Sequence, residues 1–281
     1  MSKRDFGWAI PIMRAGYAGR GVVYTVVAGF ALYATLQGRQ AEGTSGALAQ
    51  LEGTNWGSLV LFLIFTGMIA YAVWRLVDAA YDLENYGSDG EAVIARLGMI
   101  TTGLIHLAIG VLAFLLLFTD RGGDGAGSST ISEAVRAVFA VPAGVWIVGL
   151  GGVVTIGAGI YYVAKAIRET YRDHLRANRF TVNWNGLLKA GVLSQGVIVT
   201  LIGIFLTYAA YTADASQAGG VGDAFGWVRD QAYGQILMIA TSLGLLCFGL
   251  FCFVNARHRI VPAAAGDDIE TLAQRLRAKA R

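Results

Sequence analysis

The chain has 281 residues, 55% hydrophobic and only 15% charged, with a net charge of +3 and a mean hydropathy of +0.54. Soluble domains carry about a quarter charged residues, and a soluble fold here would have to hide several ~20-residue apolar runs in one core. That excludes a wholly soluble protein, and so small a positive charge calls for no nucleic-acid partner.

Lys3, Arg4, Arg14 and Arg20 precede the first apolar run, Gly21–Gln37. No small-residue cleavage site follows, so the run reads as an uncleaved first span and not as a signal peptide. Five more runs follow: Gly57–Val77, Leu97–Thr119, Val138–Ala164, Leu187–Tyr211 and Gln235–Val254. Each is near the ~20 residues a spanning helix needs. Barrel strands are ~10 residues of alternating polarity, whereas these runs are continuously apolar. In hydrocarbon only a helix satisfies such a backbone internally. Three connections, SGALAQLEGTNW, ISEAVRAVFAVPAG and VGDAFGWVRDQAYG, read as short amphipathic helices at the outer interface. Ile131, Val135 and Val138 have helical spacing there, Ser132 and Glu133 stand near the start, and Trp56 and Trp227 are interface anchors.

The basic residues orient the chain. The N-terminus, the second and fourth connections and the C-terminal tail hold 18 of the 22 Lys and Arg; the other connections hold Arg39, Arg121, Arg136 and Arg229. The positive-inside rule then puts both termini in the cytoplasm. Cys247 and Cys252, five apart on one helix, face roughly 140° apart. They fit neither a mutual disulfide nor a metal pair, and read as small buried apolar residues.

A repeat organises these spans. RAGYAGRGVVYTVVA, RLGMITTGLIHLAIG and KAGVLSQGVIVTLIG begin at Arg14, Arg96 and Lys189. They align Gly16, Gly98 and Gly191, then Gly21, Gly103 and Gly196, then Ala28, Gly110 and Gly203. The even-numbered spans align without gaps through Ala47/Ala134/Ala224, Leu51/Val138/Val228, Gly57/Gly144/Gly234, Trp74/Tyr161/Phe251, Asp78/Lys165/Asn255 and Ala79/Ala166/Ala256. A period of this kind fixes architecture before any other signal. The expected fold is all-α and integral to the membrane: six transmembrane helices as three parallel helical-hairpin repeats about a pseudo-threefold axis. The segments are 1–13 (cytoplasmic), 14–86, 87–178 and 179–261 (repeats), and 262–281 (a cytoplasmic amphipathic tail). Glycines seven apart share a helix face, and in lipid small residues let backbones approach. Gly16, Gly21, Gly98, Gly103, Gly110, Gly191, Gly196 and Gly203 are therefore expected at helix–helix contacts.

The columns Arg14/Arg96/Lys189, Gly16/Gly98/Gly191, Gly57/Gly144/Gly234 and Ala79/Ala166/Ala256 resemble the domain-of-unknown-function 1206 family of bacterial integral membrane proteins. The resemblance covers about residues 12–260 and departs at LVDAAYDLEN, which is acidic where the pattern is basic. It implies the three-repeat fold and a bacterial plasma (inner) membrane location, and no activity.

The polar candidates within the spans are few. His106 aligns with Tyr24 and Val199, so it is particular to one copy; it reads as a packing residue that can donate to a backbone carbonyl or to a Ser or Thr on a neighbour, with Thr101 and Thr102 on its own helix, and alternatively as a ligand, proton or pigment contact. Asp78, Lys165 and Asn255 share one column near the cytoplasmic face; an Asp78–Lys165 ion pair there would close a cavity, while the plainer reading has each marking a helix leaving the membrane. Arg20 and Arg75 are expected to snorkel. Arg168, Arg172, Arg176 and Arg179 recur every three or four residues, and one helix face of them suits anionic lipid heads. In the tail, Ile269, Leu272 and Leu276 form an apolar face, with Asp267 and Asp268 at its N-terminus and Arg275, Arg277, Lys279 and Arg281 elsewhere, so it should lie on the membrane or on a partner. There is no P-loop, nucleophile elbow, HExxH or zinc-spaced cysteine pair, no paired carboxylate at a span centre and no second buried His for a bis-His haem. Catalytic, metal and cofactor sites are therefore not expected. The first functional expectation is a non-catalytic accessory or scaffold protein, contacting anionic lipid heads and a membrane-protein partner. The second is a small-solute or ion transporter or channel with its site on the pseudo-threefold axis, using the intramembrane or cavity polar residues Tyr24, His106, Asp78 and Lys165.

Overall fold

The computed structural model describes residues 6–118, 129–264 and 269–279. Lys3, Arg4, Arg121, Asp267, Asp268 and Arg281 lie outside the described residues. The helices are α1 (Ala9–Leu36), α2 (Thr44–Glu52), α3 (Gly57–Tyr81), α4 (Gly90–Leu116), α5 (Ser129–Phe139), α6 (Gly144–Ile167), α7 (Arg179–Asn183), α8 (Asn185–Thr212), α9 (Val221–Arg229), α10 (Gly234–His258) and α11 (Leu272–Lys279). Six of them, α1, α3, α4, α6, α8 and α10, are long and apolar enough to cross a membrane. Helix α1 begins twelve residues before the apolar run that marks it in the sequence, because Ala9, Met13 and Tyr17 bury that first turn.

The spans pack in the order α4–α3–α1–α10–α8–α6. In a closed threefold ring of hairpins each span touches its neighbours in sequence, and the last touches the first. Among the described residues all those contacts are extensive except that between α4 and α6, which at most graze one another. The expected hairpin therefore forms in the first and third repeats and is open in the second.

The glycine columns explain both the packing and the gap. A Cβ at Gly16 would lie 2.6 Å from Tyr71 Cα, and one at Gly191 would lie 2.5 Å from the Cys247 carbonyl carbon. Both face the second helix of their own repeat. The third member, Gly98, has nothing within 4 Å, because its helix α6 is absent from that side. The next column faces the preceding repeat instead: Gly21 meets Phe253, Gly103 meets Arg75 Cβ, and Gly196 meets Val163. Gly110 and Gly203 follow two turns later against Met68 and Ile156. Gly19 and Gly67, unflagged by the repeat, face each other across a close crossing, with a Cβ on either lying 2.5 Å from the other's Cα. Small residues create such contacts, and lipid-facing apolar helices associate through them. Thr25, Thr200 and Thr207, which enter these faces, bond one turn back to the carbonyls of Gly21, Gly196 and Gly203, so these three hydroxyls each have an acceptor.

The column Gly57/Gly144/Gly234 begins α3, α6 and α10 at a tight turn. A Cβ there would collide with the carbonyls of Leu51, Val138 and Arg229 respectively. The turn folds α2, α5 and α9 back over the end of the bundle, where Ala47, Leu48, Ala224 and Phe225 are buried. Trp56 and Trp227 remain exposed at those ends.

At the opposite, basic end, two sequence expectations are corrected. Helix α6 stops at Ile167 and Glu169 takes a left-handed φ of 58°, so the helical face expected for Arg168, Arg172, Arg176 and Arg179 does not exist. Arg168 ends α6, Arg172 pairs with Glu169 and donates to Asn185 Oδ1, Arg176 lies in an antiparallel bridge to Thr271, and Arg179 opens α7. The tail, expected on the membrane or on a partner, has its apolar face taken up by this chain. It docks on its own chain: Leu272 N–H donates to Leu175 O at 2.7 Å and Ala177 N–H to Glu270 O at 3.0 Å. Leu272, Leu175 and Tyr171 are fully buried together, with Leu276 against them.

Candidate functional site

The middle of the open ring is polar on its basic-end half. Arg20, from α1, is 4% exposed; it does not snorkel. Its Nη1 donates to Tyr71 Oη at 2.9 Å. Its guanidinium carbon lies 5.2 Å from the Tyr71 ring centroid, 5.5 Å from that of Tyr24 and 5.1 Å from that of Phe248. Tyr162 of α6 also neighbours it. Helices on both sides of the gap thus converge on this one side chain. Its Nε has no hydrogen-bond partner, and among the described residues no carboxylate pairs with it. Cation–π contact with three rings offsets part of the burial of the charge, but a buried cation ordinarily has an anion beside it.

Tyr24 and His106, expected as intramembrane polar residues, both stand at this centre. Tyr24 Oη accepts from Gln195 Nε2 at 2.9 Å, and its ring meets Phe248 edge-on. His106, buried at 5% exposure, packs against Tyr71 with the ring centroids 4.7 Å apart and the rings tilted by 51°. Its Nδ1 is 2.7 Å from Thr102 O. A carbonyl only accepts, so Nδ1 carries the proton, and in the neutral imidazole Nε2 is then an acceptor. The repeat brings these groups together: Arg20 aligns with Thr102 and Gln195, and Tyr24 with His106.

Below them, the basic end is closed by a buried charge network. Asp78 pairs with Arg75 at 3.4 Å and accepts from Glu84 N–H at 3.2 Å; no Asp78–Lys165 ion pair forms among the described residues. Arg75 does not snorkel either, since its Nε donates to Tyr71 Oη at 3.0 Å. Glu84 pairs with Arg259, with side chains 1% and 6% exposed. Arg259 also donates to Asn255 Oδ1 at 2.8 Å and stands 5.3 Å over the Tyr17 ring. Asp78 and Asn255 are both completely buried. Burial alone would raise the Glu84 carboxyl, but the Arg259 and Arg75 charges outweigh it and hold it down at about 2. Burial would lower Arg259, and Glu84 instead raises it. Nearby, burial and then Arg259 push His174 down to about 4. Glu84 and Arg259 were not singled out in the sequence. The signal for Glu84 was the acidic departure LVDAAYDLEN, which supplies the partner of an arginine 175 positions away.

Two acids and two bases balance in that network. Arg20 and Lys165 are left over. Lys165 is half-buried, lies 5.7 Å over the Tyr161 ring, and pairs with no carboxylate among the described residues. On the other face, an open recess of about 580 Å³ between α2 and α9 is lined by Glu42, Asp223 and Asp230. Asp223 is occupied there in capping α9, accepting from Gly220 N–H at 2.8 Å. The described residues hold no group of three or more His, Cys, Asp or Glu placed to bind a metal ion.

The family model for a Domain of Unknown Function (DUF1206) matches three stretches of this chain, residues 15–82, 97–169 and 190–259. A curated relative, "Uncharacterized protein YxxB" of Bacillus subtilis (strain 168), is 27% identical over 256 residues, spanning 90% of this chain and 92% of the relative. No solved structure matches the chain.

Proposed function

The chain belongs to the DUF1206 family, and we propose that it is a non-catalytic, multi-pass membrane protein that binds an anionic group at Arg20. The observation that carries this reading is a 4%-exposed arginine with an unpartnered Nε and, among the described residues, no carboxylate beside it. Removing a cation from water is costly unless it is paired, and an intramembrane ion is a functional site before it is anything else. Phenols from Tyr24, Tyr71 and Tyr162 surround the guanidinium, and a hydroxyl can donate to an anion held there. The same axial centre is what a transporter or channel for a small anionic solute would use. The bias of Lys and Arg supports a bacterial inner-membrane orientation with both termini cytoplasmic. The direct test is thermal unfolding of the purified full chain with added anions, free or lipid-borne. Wild type should gain stability with at least one anion and Arg20→Gln should not; equal responses of the two proteins to every anion refute the reading.

The accessory or scaffold reading has one observation of its own. Gly98, Gly151 and Gly157 face open space, and small residues in lipid are where another helix approaches most closely. A partner helix co-purifying with the chain and lost on Gly151→Leu would support it.

A further inference from the structure

Three features meet at the gap between α4 and α6. The first is the pair of leftover cations. Arg20 lies behind the gap, flanked by Tyr162 of α6, with its Nε unpartnered. Lys165 stands one turn along α6 from Tyr162, half-exposed and without a carboxylate. The second is the shape of the opening. In the first repeat Gly16 and Gly19 close on Tyr71 and Gly67; in the third, Gly191 and Ser194 close on Phe248 and Gly244. The repeat register puts Gly98 and Thr101 opposite Ala158 and Val154 in the second. All four of these are exposed, so an interface that the other two repeats fill with protein is left to the bilayer. The third is depth. Arg20 is six residues beyond Arg14, about 9 Å along the helix, and Arg96 occupies the Arg14 position on α4. The cations thus lie toward the basic end of an otherwise apolar slot whose walls run the length of a span.

We propose, on the reading that Arg20 binds an anion, that the ligand is an anionic amphiphile of the membrane-lipid class. Its phosphate or carboxylate head lies between Arg20 and Lys165, with the Tyr24 and Tyr162 hydroxyls as further donors. Its hydrocarbon chain lies in the slot between α4 and α6, over Gly98, Thr101, Val154 and Ala158. A free anion would satisfy the cations and leave the slot empty; a neutral lipid would fill the slot and leave the cations unpaired. An amphiphile satisfies both, and it reaches the site sideways from the bilayer through the opening.

The test uses the full chain, delipidated in neutral detergent and returned to vesicles of phosphatidylglycerol or of phosphatidylcholine. Lipid retained after detergent washing is then counted by native mass spectrometry. Wild type should retain phosphatidylglycerol in preference to phosphatidylcholine, and millimolar inorganic phosphate should not displace it. Arg20→Gln should weaken retention by about tenfold or more, the scale of one charge-assisted hydrogen bond. Lys165→Gln, a change at a half-exposed side chain, should weaken it less and keeps the test open should Arg20→Gln fail to fold. Gly98→Trp fills the slot where a Cβ meets nothing within 4 Å, and should also weaken retention. Unchanged retention in Gly98→Trp overturns the placement of the chain, and equal retention of the two lipids overturns the class of ligand. If inorganic phosphate alone stabilises wild type but not Arg20→Gln, the ligand is a soluble anion: this inference fails and the anion-binding reading stands. If neither phosphate nor phosphatidylglycerol distinguishes the two proteins, both fail. A protein helix co-purifying in the slot in place of lipid also overturns the inference.

Discussion

Alanine substituted along one repeat column, Gly16, Gly98 and Gly191, should produce effects of opposite sign. At Gly16 the new methyl would lie 2.6 Å from Tyr71 Cα, and at Gly191 it would lie 2.5 Å from the Cys247 carbonyl carbon. Carbon atoms in ordinary contact are about 3.5–4.0 Å apart, so in each case two spans must separate by roughly 1 Å. The atoms met are backbone, which cannot swing aside as a side chain can. Overpacking of this kind costs roughly 1–3 kcal/mol. Alanine's preference for helix over glycine offsets roughly 0.5–1 kcal/mol of that. Gly16→Ala and Gly191→Ala should therefore destabilise, by up to about 2.5 kcal/mol, taking one estimate from the other. Gly98→Ala meets nothing within 4 Å and keeps only the helix term, so it should stabilise by about 0.5–1 kcal/mol. Reversible unfolding in mixed micelles, titrated with sodium dodecyl sulfate and followed by circular dichroism, resolves differences of this size. If Gly98→Ala destabilises as much as Gly16→Ala, then α4 and α6 are packed together in the micelle. The open second hairpin, and the slot argued from it, would then be wrong.

Glu84→Gln should destabilise by about 3–5 kcal/mol, because it leaves Arg259 as a buried charge without its anion. Glu84→Gln combined with Arg259→Met should recover most of that, and an additive double variant in the same titration would refute the pairing. The Glu84 carboxyl falls from 4.5 to about 2 on folding. The stability it supplies is therefore complete above pH 4.5 and is lost as the pH falls toward 2; Glu84→Gln should lose less stability than wild type over that window. His174 is also depressed, from 6.5 to about 4, but it is a base held neutral. The unfolded chain then binds the extra proton, so stability should fall as pH drops from 6.5 toward 4. Thermal midpoints of wild type and His174→Gln compared at pH 7 and pH 5 check this, and an equal pH response in both removes His174 as the cause.

Much of the architecture is legible in the residues alone. The six spans follow from apolar length, and the repeat follows from columns such as Gly57/Gly144/Gly234, where each Cβ would strike a carbonyl of the turn before it. The candidate site was legible only in pieces. Tyr24 and His106 were picked out as intramembrane polar residues, and they share the centre with Arg20. Arg20 itself reads as a snorkelling residue, because its place near the start of an apolar run says nothing about which rings enclose it. Arg168, Arg172, Arg176 and Arg179 show the opposite error: their helical spacing holds only while the helix continues, and the left-handed Glu169 ends that regularity.

Hydropathy, repeat register and charge bias depend on neighbours in the chain, and helices in lipid obey them because backbone bonds must be met within each span. By itself, then, the sequence determined that this protein has six spans, three related units and one basic end. Tertiary structure alone decided that the second unit stands open, that Glu84 meets Arg259, and that Arg20 and Lys165 have no acid beside them among the described residues. A contact between spans depends on which surfaces come within a few ångströms of each other. Gly98 has the same residue type and repeat position as Gly16 and Gly191, and differs only in what lies beside it.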